Sequence, residues 1–220
     1  MGITNDLRAP YDEQWRALVE NQFVMDMAAG TLPLEKFRFY VEQNLFYLPK
    51  YARMLGLALS HSETSLQQHR FMRALKQIVD IEIPANRDLL ADVIGMGAED
   101  LGGGIEPGPA CLAYSSFLMA TAAGGRPSDV MAAMLPCAWS YADIAARYPN
   151  PEPHPVYQTW LSVFGGSSYQ LYIEGLLVEL DELLDDADRQ DVSRLQQLFL
   201  TGIRMESGFW DMAHRGSGWA

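Results

Sequence analysis

Cys137 follows Pro136 in the stretch LPCAWSYAD, inside the apolar, helix-like run MAAMLPCAWSYADIAAR. A proline in a helix interior removes one backbone hydrogen bond and costs about 3 kcal/mol. A sequence that accepts this cost beside a thiol breaks a local rule, as functional sites tend to do. A cysteine in an apolar run is ordinarily an inert packing group. Here Tyr141, four residues on, shares its helical face and carries a phenol toward the sulfur. These two features mark Cys137 as a candidate nucleophile. The other cysteine, Cys111, begins a helix among small residues and reads as structural.

A second anomaly is Glu206, in GIRMESGFWDMAH. Its neighbours Met205, Phe209 and Trp210 are apolar, and a carboxyl half buried among them has a raised pKa suited to proton transfer. Other chemistries find little support. The four histidines, at 61, 69, 154 and 214, have neither HExxH nor paired Glu-x-x-His spacing, so no metal site is expected. There is no phosphate-binding glycine loop after a strand, and no GxSxG elbow. No cofactor is expected.

The remaining composition narrows the partners. Twenty-eight acidic against sixteen basic residues give a net charge of −12, which repels phosphate backbones, so no nucleic-acid binding is expected. No apolar run approaches the ~20 residues that cross a bilayer, so no membrane association is expected. The N-terminus, MGITNDLRAPYDEQW, is polar and acidic and does not read as a secretory signal. Two cysteines do not make a disulfide framework. The expectation is a cytoplasmic protein with reduced thiols.

Nearly every long segment repeats its apolar residues at the helical period, and no alternating strand pattern stands out. The spacing predicts helices over about 5–29, from Thr31 to about 61, and over 65–95 with an interruption at Pro84. Further helices are expected at 109–124, 127–147, 154–164, 167–186 and 188–213. Kinks are expected at Pro49 and Pro136. GAEDLGGGIEPGPA is the longest irregular stretch, and GGRPSD, YPNPEPHP and the glycine pair 165–166 punctuate the rest. No linker is long or polar enough to divide the chain. One all-α domain over 1–220, with seven or eight helices, is expected.

At these residues the chain resembles the TenA family, the thiaminase II or aminopyrimidine aminohydrolases, built on the heme-oxygenase-like helical fold. GTLPLEKFRFYVEQNLFYLPKYAR matches the family's second-helix motif, and AYSSFL, LPCAWSYADI, HPVYQTWLSVFGG and ESGFWDMA follow in family order. The combination of PC-x-W-x-Y with a later E-x-x-FW is what makes the resemblance specific. It implies that Cys137 attacks the pyrimidine ring of thiamin or a breakdown product. A leaving group then departs from the exocyclic methylene, water replaces it, and a hydroxymethylpyrimidine is released. Glu206 matches the proton-transfer carboxylate. Tyr47, Tyr114 and Tyr141 match aromatic residues that line the pocket, and Phe209 matches a ring packed against the pyrimidine. The resemblance also implies a homotetramer.

Two positions depart from the family pattern. Asn44 stands where the family usually has an aspartate, and Phe164 where it has a tyrosine before the glycine pair. An asparagine amide can accept from a ring amino group and donate to the adjacent ring nitrogen, the pairing it makes with adenine. It favours a neutral ring, whereas an aspartate favours a protonated one. The expected activity is hydrolysis of an amino-substituted pyrimidine in thiamin salvage, the substrate being 4-amino-5-aminomethyl-2-methylpyrimidine, thiamin or both. Two alternatives stand beside it: a pyrimidine-binding or regulatory protein with little hydrolysis, and a metal-dependent or cofactor-free oxidase on the same fold.

Overall fold

A computed structural model of the chain describes residues 3–94, 104–148, 154–184, 188–216 and 218–219. These residues form nine helical runs and no strand, slightly more helices than expected. The extra run comes from the first expected helix, which is broken at residues 20–21. It comprises α1 (Ile3–Arg8), a 3-10 turn (Ala9–Tyr11), α2 (Asp12–Val19) and α3 (Gln22–Ala28). Pro10 lies in the 3-10 turn, where it has no amide hydrogen to donate. Asn21 then starts α3 afresh, its side chain accepting from Phe23 N at 3.0 Å.

α4 (Leu34–Ser60) begins three residues later than the expected start at Thr31, with Pro33 at its N-cap. Thr31 instead turns back onto α3, its backbone NH donating to Asp26 O at 2.9 Å. α5 (Ser65–Lys76) opens with a capping box between Thr64 and Gln67. The expected interruption at Pro84 takes another form. A π-helical turn, Gln77–Glu82, widens the helix immediately upstream and leads straight into α6 (Ile83–Ile94). The wider turn accommodates a residue that cannot complete a regular ladder.

The later helices lie within three residues of expectation: α7 (Pro109–Ala123), α8 (Pro127–Arg147), α9 (Pro155–Gly165), α10 (Ser167–Leu183) and α11 (Arg189–Arg215). Of the expected irregular stretches, residues 97–103 and 149–153 lie outside the described residues. No helix among the described residues is long and apolar enough to cross a membrane.

α8 is the centre of the packing. It buries thirteen residues, among them Ala132, Ala133, Pro136 and Ser140, and so carries an apolar surface on nearly every side. Pro136 lies inside an unbroken α8, and its ring packs against Gly202 of α11. A Cβ at position 202 would stand 2.7 Å from Ala133 O and 2.8 Å from Pro136 Cγ. The proline thus sets a close approach of α8 and α11 that only glycine allows. Gly202→Ala is expected to destabilise the protein by about 1–3 kcal/mol through overpacking. Gly56→Ala, with nothing within 4 Å of its new Cβ, should be neutral or slightly stabilising. Thermal unfolding of the two variants checks this pair.

Candidate active site

Five helical segments enclose a small buried cavity around Cys137. α4 contributes Asn44, Tyr47, Leu48 and Tyr51. The π turn and α6 contribute Ile78, Glu82 and Asn86, and α8 contributes Cys137, Ala138 and Tyr141. Phe164 of α9 and Tyr169 and Tyr172 of α10 close it. The cavity measures about 20 Å³, which is room for a water molecule. A pyrimidine ring needs side chains to shift before it fits.

The helical periodicity explains this convergence. Asn44, Tyr47, Leu48 and Tyr51 recur at three- and four-residue spacing, so one face of α4 presents all four. Cys137 and Tyr141 are one turn apart on α8. Tyr141 is held by a buried relay: Trp160 Nε1 donates to Tyr40 OH at 2.9 Å, and Tyr40 OH donates to Tyr141 OH at 3.1 Å. Phe164 packs edge-on against Tyr141, with ring centroids 4.8 Å apart. Tyr169 OH donates to Ala138 O at 3.1 Å and ties α10 to the backbone next to the thiol.

Of the residues singled out by sequence, Asn44, Tyr47, Cys137, Tyr141 and Phe164 line the cavity directly. Glu206, Tyr114 and Phe209 stand behind that wall. Tyr114 packs on Tyr47 at 5.0 Å between centroids, and Phe209 packs on Tyr47 at 6.0 Å. Glu206, expected to be half buried among aromatics, is 1% exposed.

The electrostatics of this group are unusual. Burial pushes Glu206 up to about 7, while the Tyr114 hydroxyl and the Cys137 thiol at its side pull it back. Burial also raises the Cys137 thiol well above its ordinary value, and the Glu206 and Glu82 carboxylates raise it further. Cys137 is therefore a thiol rather than a preformed thiolate. Glu206 Oε1, Tyr47 OH and Tyr114 OH are all buried, and none makes a hydrogen bond of normal geometry among the described residues; Tyr114 and Cys137 lie near enough to favour the charge on Glu206 without closing such a bond. Each such unpaired group costs about 1–3 kcal/mol. Three of them gathered beside one thiol form a site whose polar atoms are left for something else to satisfy.

Asn44 is already oriented. Its Nδ2 donates to Asn86 Oδ1 at 3.2 Å, and Asn86 Nδ2 donates to Glu82 O at 2.9 Å. Cys111 is elsewhere, fully buried, with Sγ donating to Gln43 O at 3.5 Å and burial pushing it up to about 12. That environment suits the structural role read from sequence.

Sequence reasoning missed Glu82 and Asn86. Glu82 is 9% exposed and is pushed up to about 7 by burial, with the Gln77 amide pulling it back. The signal was present: Glu82 stands among isoleucines in QIVDIEIP, the same pattern that drew attention to Glu206. Tyr169 and Tyr172 were also missed, since their helix carried no motif.

Comparisons with known proteins bear on the family and the fold. A statistical model of the TENA/THI-4/PQQC family matches residues 8–216. The aminopyrimidine aminohydrolase of Halalkalibacterium halodurans is 31% identical over 93% of this chain and 92% of its own length. The solved structure of a TenA homologue from P. horikoshii OT3 superposes with a TM-score of 0.86 at 32% identity, covering 99% of this chain and all of that one. A domain of unknown function from Shewanella denitrificans, described as having a heme oxygenase-like fold, superposes with a TM-score of 0.72. It covers 96% of this chain and 91% of that one at 13% identity, so it bears on the fold alone. The architecture is thus the heme-oxygenase-like all-α fold, and the chain belongs to the TENA/THI-4/PQQC family.

Proposed function

We propose that this protein hydrolyses an amino-substituted pyrimidine in thiamin salvage, with Cys137 as the nucleophile and Glu206 as the proton-transfer group. The observation that carries this reading is the group of unpaired buried polar atoms, Glu206 Oε1, Tyr47 OH and Tyr114 OH, gathered beside a thiol at an aromatic cavity. Its support from relatives is an aminopyrimidine aminohydrolase at 31% identity over nearly the whole chain.

The chemistry follows from the protonation states. A thiol held protonated must lose its proton as sulfur adds to the ring. Glu206, near 7, accepts that proton at neutral pH without a large driving-force penalty. Tyr47 and Tyr114, whose hydroxyls burial keeps firmly protonated, are donors to the ring as electrons move onto it. The leaving group then departs from the exocyclic methylene with the bonding pair. Water adds to that carbon, and expulsion of the thiol restores the aromatic ring. The aromatic walls keep bulk water from these steps.

Asn44 sets the strength of ring activation. Its amide pairs with a neutral aminopyrimidine, so binding survives while activation is weak. Asn44→Asp would place a carboxylate beside the ring nitrogen and favour its protonated form. A gain of 1.36 kcal/mol in the transition state corresponds to about tenfold in rate, so turnover is expected to rise several-fold. The new carboxylate would also face Asn86 Oδ1, an acceptor. Asn86 must then rotate its amide and release Glu82 O, which should lower stability by about 1 kcal/mol. Steady-state hydrolysis of 4-amino-5-aminomethyl-2-methylpyrimidine and of thiamin by parent and variant tests both the activity and this role. No hydrolysis of either compound by the parent would defeat the reading, and a lower rate on both in the variant would mean that Asn44 serves a different ring.

A further inference from the structure

Glu82 is a buried carboxyl that the mechanism above leaves without a task. It lines the same cavity as Asn44 and Cys137, from the π turn rather than from α4 or α8. Buried carboxyls are normally paired with a cation. Glu82 has no ion-pair partner among the described residues. The residues outside that set carry no lysine, arginine or histidine side chain.

Among the described residues, the groups facing Glu82 bring it no positive charge. Tyr51 of α4, Cys137 of α8, and Tyr169 and Tyr172 of α10 all feel its charge, and burial keeps all four in their neutral, protonated forms. Gln77, on its own turn, contributes only an amide. Arg73 of α5 lies near Tyr172 but is paired with Glu179 of α10. An ionised Glu82 is therefore surrounded by dipoles and lacks a counter-ion.

Its position in the cavity also matters. An outer cleft of about 310 Å³ between α5 and α10 is lined by Arg73, Gln77, Leu171 and Tyr172. Tyr172 belongs to both spaces, and Gln77 of that cleft stands beside Glu82. The inner wall of Asn44, Tyr47 and Cys137 is where a ring is recognised and attacked. Glu82 is the carboxyl that neighbours both Gln77 and Tyr172, the residues through which the cavity and the cleft adjoin.

We propose that Glu82 is a specificity-determining residue that binds a positively charged leaving group on the substrate, an alkylammonium or an azolium. The inference rests on the pyrimidine-hydrolase reading for the identity of the ring. The cation completes the ion pair that the fold leaves open, and Glu82 thereby selects against neutral substituents at the same carbon. The two cationic classes differ in bulk: an ammonium adds little to the ring's own volume, whereas an azolium needs room of the size that the cleft beyond Tyr172 offers.

The test compares binding of two pyrimidines that differ in one group. At pH 8, with both proteins carrying Cys137→Ala so that the ligand is not consumed, the parent should bind 4-amino-5-aminomethyl-2-methylpyrimidine at least tenfold more tightly than its neutral 5-hydroxymethyl counterpart, as measured by calorimetry. Glu82→Gln should abolish that preference while changing affinity for the neutral compound less than about twofold. In the parent the preference should grow as pH rises from 6 to 8, because Glu82 ionises near 7 while an alkylammonium stays charged. In Glu82→Gln that growth should be clearly smaller; Glu206 also ionises near 7 in both proteins, so the difference between the two pH profiles is what reports Glu82. In turnover, Glu82→Gln should raise KM for the aminomethyl compound and for thiamin with a smaller change in kcat, and Glu82→Asp should recover part of the loss. Equal loss of affinity for charged and neutral pyrimidines, or an undiminished preference in Glu82→Gln, would overturn the assignment. The binding measurement needs no turnover, so an inactive parent would refute hydrolysis and still leave the role of Glu82 decided.

Discussion

Cys137→Ala is expected to abolish release of the hydroxymethylpyrimidine, with a loss of about 10⁴-fold or more, the scale seen when a covalent nucleophile is deleted. The fold should survive. Cys137 is only partly buried, and the lost sulfur borders an existing cavity rather than a packed layer. Cys111→Ala supplies the internal contrast. That thiol is fully buried against Gln43 O and away from the cavity, so its loss should lower stability while leaving kcat within about twofold. Single-turnover product assays beside thermal unfolding separate the two outcomes. If Cys137→Ala turns over at a rate comparable to the parent, the covalent mechanism is wrong and Glu206 must activate water directly.

Much of this site was legible in the sequence because helices translate spacing into faces. Asn44 with Tyr47, and Cys137 with Tyr141, needed only the helical repeat to be placed together. Pro136 drew attention to Cys137, although its observed contact is with Gly202, a partner 66 positions away that no local rule could supply. The break of the first helix was missed because its apolar repeat continues through Pro10 and Asn21. Periodicity does not register that a chain has stopped and restarted. The π turn was misread as an interruption at Pro84, since the sequence marks where a regular ladder fails and not how the backbone absorbs it.

Glu82 and Glu206 show the limit of reading charges along a chain. Both are glutamates with apolar neighbours, and both end as buried carboxyls near 7, but only the one within a recognisable motif stood out. Their depth comes from helices that meet far apart in sequence. α4, the π turn, α8 and α10 each contribute a wall, and the dielectric environment exists only once all of them are assembled. The orphaned hydroxyls of Tyr47 and Tyr114 are likewise invisible before packing, because a tyrosine in sequence carries no sign of whether its oxygen finds a partner.

Glu206→Gln is expected to lower kcat by about 10²–10⁴-fold, the range for a general acid–base group, with a much smaller effect on affinity for the neutral hydroxymethyl product. The same substitution should stabilise the protein at high pH. Glu206 has an ordinary pKa of 4.5 and stands near 7 in the folded state. Between these values the native protein binds more protons than the unfolded chain, so this group's contribution to stability is fully present below about 4.5 and is lost as pH rises through 7. A displacement of that size corresponds to roughly 3 kcal/mol by pH 8. Glutamine fills the same volume without a charge to bury, so the variant should unfold at a higher temperature than the parent at pH 8. The two should converge near pH 4.5, with Glu82 contributing equally to both. Denaturant unfolding of parent and Glu206→Gln across pH 4.5–8, beside kcat at saturation, measures both effects on one pair of proteins. A variant that is slow but no more stable at pH 8 would mean that Glu206 is ionised at little cost in the folded protein. A variant that is more stable yet turns over normally would remove it from the proton transfer. The coupled outcome, a slower and more stable enzyme, is what a carboxyl retained in an unfavourable place for its chemistry requires.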